Sequence, residues 1–327
     1  PPDSEECQYV QELEQKAEQG DESAQFALGS WYAEGRYVKP DYKLAIKWLE
    51  KAGKQGSDFS YFILGYHYNY GENFPLSRQK ALEWYRKAAE LGDSSTQEIL
   101  GDAYMYGDGF PQNTQLALEW YRRAAAQGLA EAQDAIGVMF MQGEGVSQDY
   151  QQALAWYRKA ARQGLPAAQT HLGIMSAFGR GVAQSDRQAI AWYRKAAKQD
   201  FAKAQYQLGV AYSTGRGVPE NSRNALKWYL KAAEQGFTPA QLALGEIYAH
   251  GRQGVPKDNK QAYIWYYMAS IYTEKSKDDC SALIAERNRL KGTLTPDQLS
   301  ETYAAFDLIR RKINQSKEAK KIARKKY

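Results

Sequence analysis

Apolar and polar positions alternate along this chain in a way that predicts paired helices. In residues 132–164, Ala132, Ile136, Phe140 and Gly143 fall at i, i+4, i+8 and i+11, which is one face of a helix. Gly143-Glu144-Gly145-Val146 then breaks the pattern, since glycine readily takes the positive φ that ends a helix. Asp149 stands where an N-cap belongs, and a second helix over 150–163 turns Ala153, Trp156, Tyr157 and Ala160 inward. Gly164 stops it. The unit is an antiparallel helix pair with a short loop.

The same unit returns along most of the chain. Gly29, Gly65, Gly101, Gly137, Gly173, Gly209 and Gly245 lie 36 residues apart, and Gly35, Gly71, Gly107, Gly143, Gly179, Gly215 and Gly251 keep the same step. Trp48, Trp84, Trp120, Trp156, Trp192 and Trp228 follow it too, with Trp265 one residue late. A fixed period of this length means stacked supersecondary units, none of which buries its apolar face alone. Such arrays offer a long surface to a partner. A glycine inside each first helix costs about 1 kcal/mol relative to alanine, so a neighbour must approach too closely for a Cβ. The Trp-Tyr pair of the second helix is the expected occupant, which makes the aromatic ladder a core device.

The pattern A-Q-x-x-L-G-x-x-Y-x-x-G-x-G-V followed by A-x-x-W-Y-x-K-A-A-x-Q-G resembles the Sel1-like repeat, a relative of the tetratricopeptide repeat, over residues 24–269. The resemblance implies an all-α, right-handed superhelical solenoid of seven 36-residue helix pairs with helical caps, serving as a protein-interaction scaffold and most often bacterial. Some members carry cysteines in every unit and have been linked to β-lactamase-like activity; this chain has no such cysteines. Residues 1–23 read as an N-terminal capping helix, with Glu12 where later units have tryptophan. Residues 270–309 read as C-terminal capping helices, in which Thr295, Pro296 and Gln298 form a helix-start signature. Residues 310–327 form a basic tail.

Charge refines this picture. The chain has 327 residues and a formal charge of +5, but residues 310–327 sum to +8 and residues 1–22 to −7. Positive charge gathered at one end is no nucleic-acid footprint, which would line a groove. No apolar run is long enough for a transmembrane helix. The two cysteines, Cys7 and Cys280, lie outside the repeats at opposite ends and are expected as free thiols, bridged only if the superhelix closes on itself. The chain opens on Pro-Pro rather than Met, and the expectation is a removed leader, with a cleaved signal peptide or an omitted disordered stretch as the two forms.

Catalysis finds little support in the residues. His67, His171 and His250 occupy three different register positions, without a second histidine or cysteine at metal-ligand spacing. No nucleophile motif or phosphate-cradling loop is present, so neither enzyme activity nor a cofactor is expected. The candidate surface is the face of each first helix that points away from the core. By helical phase it carries Tyr66, Glu98, Asp102, Met105 and Asp134 in the earlier units, and Val138, Met141, Ile174, Tyr206 and Val210 from the fourth to the sixth. An apolar strip bordered by carboxylates marks an interaction site, unless curvature buries part of it against the next unit. In the fifth unit Ser176 replaces the inner aromatic and Phe178 appears two residues on, so the core is expected to repack around Phe178. The Arg86-Lys87, Arg122-Arg123, Arg158-Lys159 and Arg194-Lys195 pairs are expected to cover the tryptophans with their aliphatic stems.

These readings add up to a non-catalytic, monomeric scaffold, periplasmic or secreted with a cytoplasmic alternative, that is expected to bind another protein in its concave groove. The resemblance adds one specific version, an immunity protein neutralising a secreted, phospholipase-type toxin; within the same binding class a virulence protein meeting a host factor and an envelope assembly adaptor fit equally well. The alternative is a protein that binds or acts on peptidoglycan, for which Tyr66, Tyr70 and Tyr106 beside Glu98, Asp102 and Asp134 would be the sugar-recognising set.

Overall fold

The structure, a computed structural model, describes residues 4–71, 73–251, 254–273 and 281–325, with side chains from 8 to 271 within those ranges and from 281 to 315. Cys280, the Cys7 side chain and most of the basic tail's side chains lie outside that description. The described residues form helices and no strands. They fall into two compact units, residues 1–163 and 164–327.

The first unit holds α1 (Ser4–Glu18) and four helix pairs. These are α2 (Glu22–Glu34) with α3 (Tyr42–Lys54), α4 (Asp58–Tyr70) with α5 (Arg78–Leu91), α6 (Ser94–Tyr106) with α7 (Thr114–Ala126), and α8 (Ala130–Gln142) with α9 (Tyr150–Arg162). The second unit holds α10 (Pro166–Phe178) with α11 (Asp186–Ala197), α12 (Ala202–Thr214) with α13 (Ser222–Ala233), and α14 (Thr238–His250) with α15 (Asn259–Thr273). It closes with α16 (Ser281–Lys291) and α17 (Pro296–Lys325). This is the expected solenoid of helix pairs.

Local chemistry sets the ends of each helix. Asp41, Asn113 and Asp149 each accept two backbone N–H groups at the start of a second helix, a cap worth about 1 kcal/mol. Thr295 and Gln298 exchange hydrogen bonds at 3.3 and 3.0 Å, the reciprocal box that starts α17. First helices end on a left-handed glycine; Gly143, at φ +77°, returns its N–H to Met139.

The mid-helix glycines make room for a tyrosine ring, not for the indole. A Cβ on Gly137 would stand 2.6 Å from the Tyr157 ring, and Tyr157 is wholly buried. The same tyrosine meets the same glycine in five further repeats, from Tyr85 on Gly65 to Tyr266 on Gly245; in the first repeat Leu49 takes the place. In the second to sixth repeats the tryptophan is less deeply buried than this tyrosine and lies under the cation three residues on, as with Lys87 over Trp84 at 4.0 Å, Arg123 over Trp120 at 4.5 Å and Lys159 over Trp156 at 4.0 Å.

Buried glutamines fasten neighbouring repeats. Gln97, on α6, donates to the Ala89 carbonyl at the end of α5 and accepts from Gln127 at 3.0 Å; Gln127 also reaches the Gly92 carbonyl at 2.8 Å. The same amide–amide bond joins Gln25 to Gln55 and Gln133 to Gln163 in the first unit, and Gln169 to Gln199 and Gln205 to Gln235 in the second. The second repeat departs from it. Tyr61 replaces one glutamine and Leu91 the other, and Gly53, near the end of the first repeat, stands where the second to sixth repeats have alanine. The Tyr61 ring occupies the space a Gly53 Cβ would need, at 2.5 Å, and stacks on Trp84.

In the second unit, Phe306 of α17 stacks on Tyr267 at 4.2 Å, and the wholly buried Ile313 sits against Gly236. Lys312 pairs with Glu234 at 2.8 Å. The basic stretch therefore begins inside a packed helix. The core does not repack around Phe178, which stays 58% exposed with the Arg180 and Arg216 guanidiniums beside it. Buried Ser176 instead turns its hydroxyl to the Leu172 carbonyl at 2.9 Å.

Candidate functional site

The first helices of the first unit present a face that is partly open and rich in rings. On α4, Phe59, Phe62, Tyr66 and Tyr70 succeed one another at i, i+3, i+7 and i+11. Phe59 stacks on Phe62 at 5.6 Å, and Tyr66 meets Tyr70 at 4.6 Å. Phe26 of α2 joins them 5.8 Å from Phe59. Phe59 and Tyr70 are about half exposed, at 54% and 47%, and Tyr106 of α6 reaches 75%. A helix face left to water would carry polar groups at these positions.

Between these rings stands a carboxylate held by a buried phenol. The Tyr121 hydroxyl, carried up from the second helix by the glycine contact, donates to Asp102 Oδ1 at 2.5 Å. Burial raises the Asp102 carboxyl above the ordinary range, while the Tyr121 bond and nearby Arg78 pull against that shift. Tyr121 itself is driven far up, by burial first and then by Asp102 and the nearby Glu98. Arg78, at the start of α5, is already committed: it donates to Asn69 Oδ1 at 2.8 Å and to Asp108 Oδ2 at 2.9 Å. Tyr157 extends to Met141 Sδ at 3.8 Å, and its phenol is raised by burial and by Asp134.

The sequence-predicted residues divide by burial. Tyr66, Glu98, Asp102, Asp134, Val138 and Met141 are half-buried in the first unit. Met105 is not on the open face: at 5% exposure it packs in the core with Tyr121 and Leu118. Its register position lies at the core boundary, where Ala33, Ala177 and Ala249 are buried as well. In the second unit, Ile174 packs against the core that includes Ala189 and Tyr193. Tyr206 lies 5.7 Å from Tyr229 and 5.5 Å from Phe237, and Val210 packs beside it. All three are half-buried and leaned into the core. Sequence reasoning missed Phe59 and the Arg78–Asn69–Asp108 bracket; for Phe59 the run of aromatics at steps of three and four along α4 was the available signal.

Of the histidines, His67 is buried and stacked on Phe74 at 5.0 Å, His171 is half-buried and His250 is exposed. Among the described residues no group of three or more His, Cys, Asp or Glu is placed to hold a metal ion, and no helix is long and apolar enough to cross a membrane.

The Sel1 repeat family model matches residues 22–57, 59–93, 94–129, 130–165, 166–201, 202–237 and 238–270. Among solved structures, a Sel1 repeat protein from Oxalobacter formigenes is 34% identical, covering 87% of this chain and 80% of its own, with a TM-score of 0.72. The protective antigen c5321 of uropathogenic Escherichia coli strains is 26% identical over 93% of this chain and 87% of its own, with a TM-score of 0.48. The immunity protein Pa5087 of Pseudomonas aeruginosa is 22% identical over 60% and 75%, with a TM-score of 0.46. No curated protein matches the chain.

Proposed function

This chain belongs to the Sel1 repeat family, a family of protein-interaction scaffolds, and from that premise we propose that it captures another protein on the face of its first helices and performs no catalysis itself. The observation that carries this reading is the ring-lined strip of α4, where Phe59 and Tyr70 stay about half in water beside the still more open Tyr106. Rings held in this way fill pockets or cover apolar segments of a partner.

The reading has two forms, an immunity protein against a secreted toxin and an adaptor in the envelope or in virulence, and export to the periplasm accompanies both. A photo-crosslinking residue at Tyr70, compared with one at Glu83 on a second helix, tests the shared part. A discrete adduct from Tyr70 alone supports it, and no adduct from any first helix overturns it. Co-expression with the captured protein separates the two forms, because an immunity protein rescues growth and an adaptor does not.

A further inference from the structure

Charge in the first unit is sorted by helix type. The first helices α2, α4, α6 and α8 carry seven carboxylates and neither lysine nor arginine. The second helices α3, α5, α7 and α9 carry thirteen lysines and arginines against four glutamates. In the second unit the first helices α10, α12 and α14 hold only Lys203 and Glu246. The sorting is therefore a property of residues 1–163 and not of the repeat.

Helix ends account for part of it. Glu22, Asp58 and Glu131 stand in first turns, where the macrodipole favours an acid. Glu98, Asp102 and Asp134 stand in helix interiors and gain nothing from that. They occupy the register positions that α4 gives to Phe62 and Tyr66. Ring strip and interior acids thus belong to one face. Arg78, which lies near Asp102, has its charge met by Asp108 at 2.8 Å. Asp102 is held in one orientation by Tyr121, so it is an acceptor fixed in advance.

Resting on the scaffold reading, we propose that this face takes a basic amphipathic segment of another protein, whose apolar side lies on the α4 rings while its lysines or arginines meet Glu98, Asp102 and Asp134. Complementary charge sets the encounter and the register, and the rings supply the buried area. A lysine or arginine beside Tyr70 and Tyr106 also gains from their π faces.

The test uses the full chain and a synthetic amphipathic helix of about 20 residues built from Lys, Leu and Trp. Its counterpart has Glu at every Lys. Binding is read by fluorescence anisotropy at low and raised salt. The Lys probe is expected to bind, and the triple variant Glu98→Gln, Asp102→Asn, Asp134→Asn to lose roughly tenfold in affinity. The triple Glu83→Gln, Glu90→Gln, Glu119→Gln removes as much charge from second helices and should change affinity less than about twofold. Phe59→Ser with Tyr70→Ser, both at exposed positions, should also weaken the Lys probe. Equal losses from the two triples, or a Glu probe that binds as tightly, would overturn the proposal.

The adduct formed at Tyr70 gives the second readout. A basic partner segment at the cross-link supports the assignment. An acidic or neutral segment, or the stretch 310–327 of a second copy of this chain, overturns it and leaves the scaffold reading standing.

Discussion

Arg78 and Asp108 lie 30 residues apart and close an ion pair at 2.8 Å between consecutive repeats, and the same two register positions in the second unit hold the pair with its charges exchanged, as Asp186 and Arg216 at 3.1 Å. The bracket is thus specified by opposite sign and not by which partner bears it. Arg78→Asp sets two acids against each other and loses the bond to Asn69. It should cost about 1 kcal/mol, or a few degrees in Tm for a chain of this size. Arg78→Asp with Asp108→Arg should recover most of the loss in thermal melts, with the single variant's deficit shrinking in molar salt.

Gly137→Ala tests the tyrosine seat. The change gains about 1 kcal/mol of helix propensity yet drives a Cβ to 2.6 Å from the Tyr157 ring. Overpacking of that kind costs about 1–3 kcal/mol, so the variant should be less stable in urea unfolding. A more stable variant would show that the ring yields freely.

The second repeat offers a test of coupling. Gly53→Ala alone meets the Tyr61 ring and should destabilise by about 1–3 kcal/mol. Gly53→Ala together with Tyr61→Gln and Leu91→Gln rebuilds the clasp seen at Gln97 and Gln127. The triple variant should be clearly more stable than the sum of its single changes, because the three side chains share one space.

Asp102 should leave a signature in pH. Its folded carboxyl is raised, chiefly by burial, so the folded state holds its proton more tightly than the unfolded chain. That contribution is fully present below the unfolded carboxylate pKa and is lost as pH rises through the folded one. Asp102→Asn keeps an acceptor for Tyr121 and removes the buried charge. It should stabilise the chain at neutral pH, with the advantage fading as the solution is acidified towards the ordinary carboxylate range, as read from urea midpoints.

Local signals in the sequence were enough for the helix pairs. Asp149, Gly143 and the Thr295–Gln298 box act within a few residues of themselves, and their roles follow from spacing alone. The seat for the mid-helix glycine was legible as a need for space, but spacing cannot tell which member of a Trp-Tyr pair fills it; the ring of Tyr157 does, and Trp156 lies outward beneath Lys159. Helical phase brought Asp102 and Tyr66 to a partly open face but not Met105, because phase does not report how far the adjoining second helix wraps that side. The clasp of Gln97 and Gln127 went unread since a glutamine before a helix-ending glycine looks like a solvated end. Phe59 and Arg78 were hidden by the repeat itself, which draws attention to what every unit shares rather than to what one unit adds.

The glutamine clasp bears on how such a chain can change length. Gln133 reaches Ala125 as Gln97 reaches Ala89, and Gln163 reaches Gly128 as Gln127 reaches Gly92. Excising residues 94–129 would hand Gln133 the Ala89 carbonyl and Gln163 the Gly92 carbonyl, so the cut ends would meet a ready-made joint. The protein's reach is therefore quantised: whole modules can be dropped or duplicated in a single genetic step, while a cut that left Gln133 out of register with the Ala89 carbonyl would strand a buried amide.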